Sequence, residues 1–272
     1  MKKVVLITGA SSGMGKSTAE FLSNNNFIVY AGTRDIEKLA DIKNENLIPI
    51  LLDITEQKNV NDAINTINIK QKRIDILINN AGYAVVSTVE NINEQEMLNQ
   101  FNVNVFGVLR VCKAVIPIMR KQKSGIIINI SSFLGKIGLP LLTLYNSSKY
   151  AVEGITDSLR YELKDFNIRV HSLLPGFFNT NFARYNLATN VQTFDKNSPY
   201  SNLVSNLAPV IIDEINNGNN TAEVSQIIYN IIMNDKFPAR ATIGDKAKKF
   251  LPMRKDLSDE DFERRVREYY KL

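Results

Sequence analysis

Up to about residue 175, short unbroken apolar runs alternate with longer segments in which apolar residues recur every three or four positions. The runs near 3–8, 27–32, 47–52, 74–79, 125–131 and 168–174 are rich in Val, Ile and Leu and show no polar alternation. Strands buried on both faces need that composition. The periodic segments near 14–25, 35–44, 56–71, 93–121 and 143–165 predict helices. Regular alternation of the two predicts an α/β fold: a doubly wound parallel sheet of about seven strands, helices on both faces and right-handed crossovers.

The pattern changes after residue 175. Residues 176–220 are polar and without clean period, yet they carry Phe177, Phe178, Phe182, Tyr185, Phe194 and Tyr200. An irregular segment is expected there. A helix near 221–234, a short strand near 240–244 and a helical tail at 246–272 follow. In the tail, Ser258-x-x-Asp261 has the form of a capping box, and Phe262, Val266 and Tyr269 make an apolar stripe. A helix packed on the domain fits this pattern, and an oligomer contact is the alternative. No repeat or linker precedes residue 176, so one domain spanning 1–272 is expected.

Composition narrows the chemistry. With 44% hydrophobic and 22% charged residues, the chain has the proportions of an ordinary globular protein. The net charge of +5 is spread along the sequence, which gives no reason to expect nucleic-acid binding but suits a polyanionic cofactor. One cysteine, Cys112, and one histidine, His171, leave no internal disulfide, no Cys or His zinc site and no Ser-His-Asp hydrolase; both are read as structural. The apolar run after Met1-Lys2-Lys3 stops at Thr8-Gly9, too early for a signal peptide. No stretch approaches the roughly 18 apolar residues of a membrane span, and a cytoplasmic location is expected.

The segment "ITGASSGMGKS" at 7–17 admits two readings. From Ala10 it is one residue short of the phosphate loop G-x-x-x-x-G-K-[ST], because Ala10 stands at the first glycine. Asp53, ending Ile50-Leu51-Leu52-Asp53, would then be a magnesium ligand. From Thr8 it reads T-G-x-x-x-G-x-G, a turn for a dinucleotide. Both place a phosphate on backbone N–H groups at a helix N-terminus, so the turn alone does not decide.

The second half of the chain does. The strand ending at Ile130 delivers Ser131 and Ser132 at its C-terminal end, where open α/β sheets bind ligands. Tyr145 and Lys149 follow, four residues apart, on one face of the next helix. A tyrosine with an ordinary pKa of about 10 must lose two to three units, about 3–4 kcal/mol, to act as a base near neutrality. One ammonium about 4 Å away supplies on the order of 4 kcal/mol at an effective dielectric of about 20. Lys149 is therefore expected to lower the Tyr145 pKa, the more so with a cationic nicotinamide beside it.

The set of T-G-x-x-x-G-x-G at 8–15, Asn79-Asn80-Ala81-Gly82, Asn104 in "FNVNVFGV", Ser132, Tyr145-x-x-x-Lys149 and Pro175-Gly176 resembles the classical short-chain dehydrogenase/reductase family, in order and spacing, over residues 3–182. The resemblance implies a Rossmann-type fold and an oxidoreductase acting on CH–OH groups. It implies Tyr145 as general acid/base. Lys149 would lower its pKa and hold the nicotinamide ribose, Ser132 would bond the substrate oxygen, and Asn104 would anchor a proton-relaying water. Gly9, Gly13 and Gly15, with Ser11, Ser12 and Met14, would form the turn over the pyrophosphate. Asp53 would contact adenine instead of magnesium, and Asn80, Ala81 and Gly82 would line the adenosine side. Pro175, Gly176 and Thr180 would meet the nicotinamide amide and diphosphate.

At the end of the second strand, Thr33 and Arg34 stand where an acid would select NAD(H), so NADP(H) is favoured. Two features oppose this: Asp35 could engage Arg34, and Ser12 occupies a place that is basic in many NADP-using relatives. The stretch 104–140 and the tail look most like the hydroxysteroid and retinol dehydrogenase-like branch, which implies a lipophilic alcohol or ketone; a small carbonyl compound reduced with NAD(H) is the alternative. The resemblance also implies that residues 176–220 close over the substrate, their six aromatics making a largely apolar pocket or lid, and that the protein is a homodimer or homotetramer. An ATP-dependent phosphotransferase, a non-catalytic nicotinamide sensor and an epimerase are the rival functions. The sensor typically lacks the tyrosine, and the epimerase spaces its glycines T-G-x-x-G-x-x-G.

Overall fold

The computed structural model describes residues 1–180 and 186–272. Seven strands form one parallel sheet: β1 (Val4–Ile7), β2 (Ile28–Thr33), β3 (Leu47–Leu51), β4 (Ile76–Asn79), β6 (Gly125–Ile130), β7 (Ile168–Pro175) and β9 (Arg240–Ile243), in the order β3-β2-β1-β4-β6-β7-β9. β1 pairs with β2 on one side (Val5 opposite Val29) and with β4 on the other (Val5 opposite Ile76). The strand order reverses at β1, where doubly wound sheets open a crevice beyond their carboxyl ends. β1, β4 and β6 are buried along their whole length. Their unbroken apolar composition follows from being covered on both faces.

One face is covered by α2 (Gln57–Gln71), α4 (Gly107–Gln122) and α5 (Thr143–Glu162), which pack Ile64, Val111 and Val152 against Leu6, Leu77 and Ile127. The other carries α1 (Gly13–Asn24) and α7 (Thr221–Met233), with Leu22, Ile228 and Ile231 against Val5, Ile7 and Ile128. Each such Leu or Ile contributes about 1.5–3 kcal/mol by leaving water. A third cluster lies beyond the strand ends, where Phe133, Leu142, Leu207, Ile211, Phe250 and Tyr270 meet.

Four departures from the sequence pattern shape this end of the molecule. The helix expected at 35–44 is only a 3₁₀ turn, Ile36–Leu39, capped by the Asp35 carboxylate. Of its apolar positions only Leu39 is buried, so no packing face sustains a helix. The helix expected at 93–121 is α3 (Glu94–Phe101) joined to α4 through one wide π turn, Asn102–Phe106. Such turns mark functional sites in other helices. Inside the expected irregular region, α6 (Ser201–Asn216) forms, with Leu207, Ile211 and Ile215 buried at helical spacing around Pro209. Finally, β8 (Leu187–Thr189) pairs parallel to β5 (Ala84–Val86), two strands too short to read as such. Phe182 and Tyr185 lie outside the described residues.

Glu94–Gln122 also corrects the expectation that nothing approaches a membrane span: the continuous helix is long and apolar enough, with a mean hydropathy of 1.5 over its best window. Its apolarity has another use, because Val108, Val111, Val115 and Met119 sit in the core against the sheet.

The tail forms α8 (Asp245–Asp256) and α9 (Asp259–Tyr270). Ser258 caps α9 by accepting from the Asp261 N–H at 3.1 Å. The third buried position of the stripe is Tyr270 instead of Tyr269. Tyr269 stays at the rim, where its hydroxyl donates to Glu214 on α6.

His171 is buried on β7, with Nδ1 2.9 Å from the Pro238 carbonyl and Nε2 3.4 Å from Arg169. Burial lowers its pKa, the Pro238 bond works the other way, and the charges of Arg169 and Arg160 lower it further. A depressed folded-state pKa contributes stability that is present above the unfolded value of 6.5 and lost as pH falls through the folded one. The thermal midpoint of the wild type should therefore begin to fall below pH 6.5, ahead of the carboxylate range, and fall less in His171→Asn. Identical pH profiles of the two proteins would contradict this.

Candidate active site

The glycine turn begins where β1 leaves the sheet. Gly9 has φ +64°, and a Cβ there would lie 2.8 Å from the Ala81 Cα, so only glycine fits. Gly13, at φ +53°, opens α1. Ser12 stands at the N-cap, yet its side chain makes no capping bond, and the first turn holds no acid. The orphan N–H groups of α1 thus face outward with the helix dipole behind them. This arrangement suits a diphosphate.

A second strand end supports the turn. The buried Thr8 hydroxyl accepts from the Asn80 and Ala81 N–H groups, both at 3.0 Å. The Asn80 side chain returns two bonds, donating to the carbonyls of Thr8 and Gly9 at 3.0 Å. Thr8 belonged to the sequence motif, but its part in holding the two strand ends together is visible only here.

One cavity of about 620 Å³ runs from this turn across the strand ends. That size suits a small-molecule ligand. At one end lie Gly9, Ser11, Ser12, Gly13, Met14 and Arg34, with Asp53 beside them. Along its floor are Asn80, Ala81 and Gly82, and on the far side Pro175, Gly176 and Thr180. At the other end stand Ser132, Tyr145 and Lys149. Asp53 is already engaged, accepting from the Thr55 N–H at 2.9 Å and the Thr55 hydroxyl at 2.7 Å.

Two of the residues singled out from the sequence do not line the cavity. Gly15 sits beneath the turn, where a Cβ would fall 2.4 Å from Asn80 Nδ2 and 2.5 Å from the Gly9 carbonyl. Its smallness lets α1 close on the strand ends, a packing requirement instead of a ligand contact. Asn104, on the π turn, is buried and holds both backbone groups of Tyr83, accepting at 3.1 Å and donating at 2.9 Å, and donates to Ser148 at 3.0 Å. It still lies near Lys149: a Cβ on Gly82 would be 3.3 Å from Asn104 Oδ1 and 3.7 Å from Lys149 Nζ.

The phosphate-loop letters fare differently. Lys16 is half exposed and 4.0 Å from Glu20, and the Ser17 hydroxyl meets Ser225 on α7 at 3.1 Å. Neither borders the cavity. A magnesium nucleotide would find no lysine and no hydroxyl at the places an ATP-binding loop supplies them.

At the far end the Ser132 hydroxyl accepts from the Leu134 N–H at 3.1 Å and is hydrogen-bonded to the Tyr145 phenol. Burial pushes the phenol up to about 12, and the Ser132 bond offsets only part of that. The net direction is therefore upward, against the expected lowering. The Lys149 ammonium lies 5.6 Å from the Tyr145 ring centre and donates to the Ile130 carbonyl at 2.8 Å. Burial pulls its own pKa down to about 8, against the opposing charge of Glu153. For both groups the loss of water outweighs the neighbour that opposes it, the Ser132 bond for Tyr145 and the Glu153 charge for Lys149.

Beyond this pair the wall turns apolar, with Phe133, Leu134, Leu142, Phe177, Phe178 and Leu187. Ile211 and Ile215 complete it from α6, which the sequence pattern did not reveal. Of the described aromatics expected to form a lid, Phe177 and Phe178 border the cavity. Phe194 packs on the third cluster, and the Tyr200 hydroxyl donates to Glu90 at 2.7 Å.

The fold and the site together define an α/β nucleotide-binding oxidoreductase. The short chain dehydrogenase family profile matches residues 3–190, and the chain belongs to that family. It is 36% identical over 259 residues to the 3-ketodihydrosphingosine reductase of Bacteroides thetaiotaomicron, covering 92% of this chain and 93% of that one. Its structure superposes on a short-chain dehydrogenase from Streptomyces avermitilis with a TM-score of 0.85 and 28% identity, covering 100% of this chain and 97% of that one. ElxO with NADP bound gives 0.73 at 30% identity, covering 89% and 97%.

Proposed function

We propose that this chain is an NADP(H)-dependent oxidoreductase that interconverts a lipophilic alcohol and its ketone or aldehyde. The observation that carries this reading is the continuity of one cavity from the uncapped N-terminus of α1 to the hydrogen-bonded Ser132–Tyr145 pair and on to an apolar wall. A nicotinamide held in this cavity would supply or accept the hydride. Ser132 and Tyr145 hold the substrate oxygen, and Lys149 holds the ribose beside them. Gly9, Gly13 and the first turn of α1 take the diphosphate, with Asp53 at the adenine. In the reducing direction Tyr145 gives its proton to the oxygen as the carbonyl carbon accepts the hydride. A phenol pushed up to about 12 stays protonated at neutral pH, the form that reduction uses. Oxidation needs added positive charge to lower it.

The cofactor preference rests on Arg34. This residue lines the cavity, is exposed, and makes no ion pair among the described residues, whereas Asp35 pairs with Lys38 at 3.6 Å and caps the following 3₁₀ turn. The guanidinium is thus available to a 2′-phosphate, and the NADP-bound ElxO is a relative with the same fold. The apolar wall and the likeness to a 3-ketodihydrosphingosine reductase favour a long-chain keto compound over the steroid or retinoid first expected. A homo-oligomer is part of the proposal; half-exposed Phe106 and Leu109 at the start of α4, with Tyr150 on α5, supply an apolar face for it.

Tyr145→Phe should lower turnover by about 10²–10⁴-fold while NADPH binding, followed by fluorescence, stays within about twofold. Full activity in that variant would overturn the assignment. Arg34→Asp should shift the kcat/KM ratio toward NADH by about tenfold or more. An unchanged ratio would mean that the 2′-phosphate is read elsewhere.

A further inference from the structure

Helix α5 carries a third ionisable group on the face that holds Tyr145 and Lys149. Glu153 follows Lys149 at the same four-residue spacing and is 3% exposed. Its carboxylate is clamped from three other segments. Ser172 on β7 donates its hydroxyl, Arg240 Nε on β9 donates at 2.7 Å, and Lys136 Nζ, in the turn after β6, lies 3.1 Å away. Arg240 also donates to Asp157 at 2.7 Å. The turn after β6 lies flat on the helix between the two charges: a Cβ on Gly135 would sit 3.0 Å from the Lys149 carbonyl and 3.2 Å from Glu153 Cγ.

No substrate or cofactor role accounts for this carboxylate, since Glu153 does not border the cavity. Burying a carboxylate is costly unless partners surround it, and here three segments are committed to keeping it ionised. Burial alone would raise its pKa, but the bonds from Arg240 and Ser172 and the Lys136 charge hold it below the ordinary value.

Taking the proposed function as its basis, we infer that Glu153 is a positioning residue: held one helical turn from Lys149, its fixed negative charge keeps the buried Lys149 ammonium protonated. Lys149 donates to one backbone carbonyl, that of Ile130, which orients it without a formal counter-charge. The other ionisable groups around this part of α5 do not fill that place among the described residues. Tyr145 is a neutral phenol, Lys136 and Arg240 are cations, and Asp157 is engaged by Arg240. β7 presents the neutral Ser172 and the π turn the neutral Asn104. Tyr83 is a neutral phenol raised by burial, and Glu96 on α3 is engaged by Asn93 and Asn190. Glu153 is the group that raises the Lys149 pKa against its burial.

The signs of two substitutions test this directly. Glu153→Gln removes the counter-charge and should lower the Lys149 pKa by about one unit or more. Lys136→Met removes a cation that competes for the same carboxylate and should raise it. Lysine side-chain ¹⁵N NMR of the full-length, cofactor-free protein reads the titration, with the Lys149 signal identified by its loss in Lys149→Met. The wild-type midpoint is expected near 8. Opposite displacements in the two variants support the inference. An unmoved midpoint, or shifts in the same direction, overturns it. If Glu153→Gln fails to fold, Glu153→Asp decides instead: it keeps the charge but draws it back by one methylene, so the Lys149 midpoint should fall by less than a unit, and a midpoint that does not fall overturns the inference. NADPH turnover across pH is measured beside it. A wild type that titrates as described but never turns over refutes the proposed function and leaves this inference standing, whereas a wild type that turns over with an unmoved titration in the variants does the reverse.

Discussion

The arrangement depends on a clasp between two strand ends. Thr8, buried where β1 stops, accepts from the Asn80 and Ala81 N–H groups, while the Asn80 amide donates to the carbonyls of Thr8 and Gly9. These four bonds join the crevice at the point where the strand order reverses. They leave Gly9 so close to Ala81 that no side chain fits between them. Gly15 then closes α1 onto the same clasp, and the α1 N-terminus points over the cavity. Breaking any of these bonds strands a buried polar group, which costs about 1–3 kcal/mol.

The other end of the cavity is governed by desolvation. Burial raises the Tyr145 phenol and lowers the Lys149 ammonium, so each is pushed toward its neutral form. The Ser132 bond acts against the first tendency and the Glu153 charge against the second. The result is a tyrosine that keeps its proton and, with Glu153 in place, a lysine that keeps most of its charge at neutral pH.

Much of this was legible in the sequence because it rests on short-range pattern. The six strands before residue 176 are apolar runs that need no partner to be recognised, and the glycine turn, Ser132, Tyr145 and Lys149 follow them at fixed spacings. What escaped depends on contacts between distant segments. α6 was hidden because Pro209 interrupts an otherwise helical spacing of Leu207, Ile211 and Ile215. β5 and β8 were hidden because three residues each carry no period. The clamp on Glu153 joins four segments, and its members carry no motif. The expected lowering of Tyr145 was argued from charge alone, and burial of the phenol sets the net direction upward.

The central claim is that the cavity brings a nicotinamide and a carbonyl carbon together at Ser132 and Tyr145. Its most direct test is isotope transfer: NADPH deuterated at the reactive C4 position is incubated with the enzyme and a long-chain keto lipid, and the product is analysed by mass spectrometry. The account predicts one deuterium on the carbinol carbon of the alcohol. An alcohol formed without that deuterium, or bound NADPH that transfers none to any long-chain ketone or aldehyde, would contradict it.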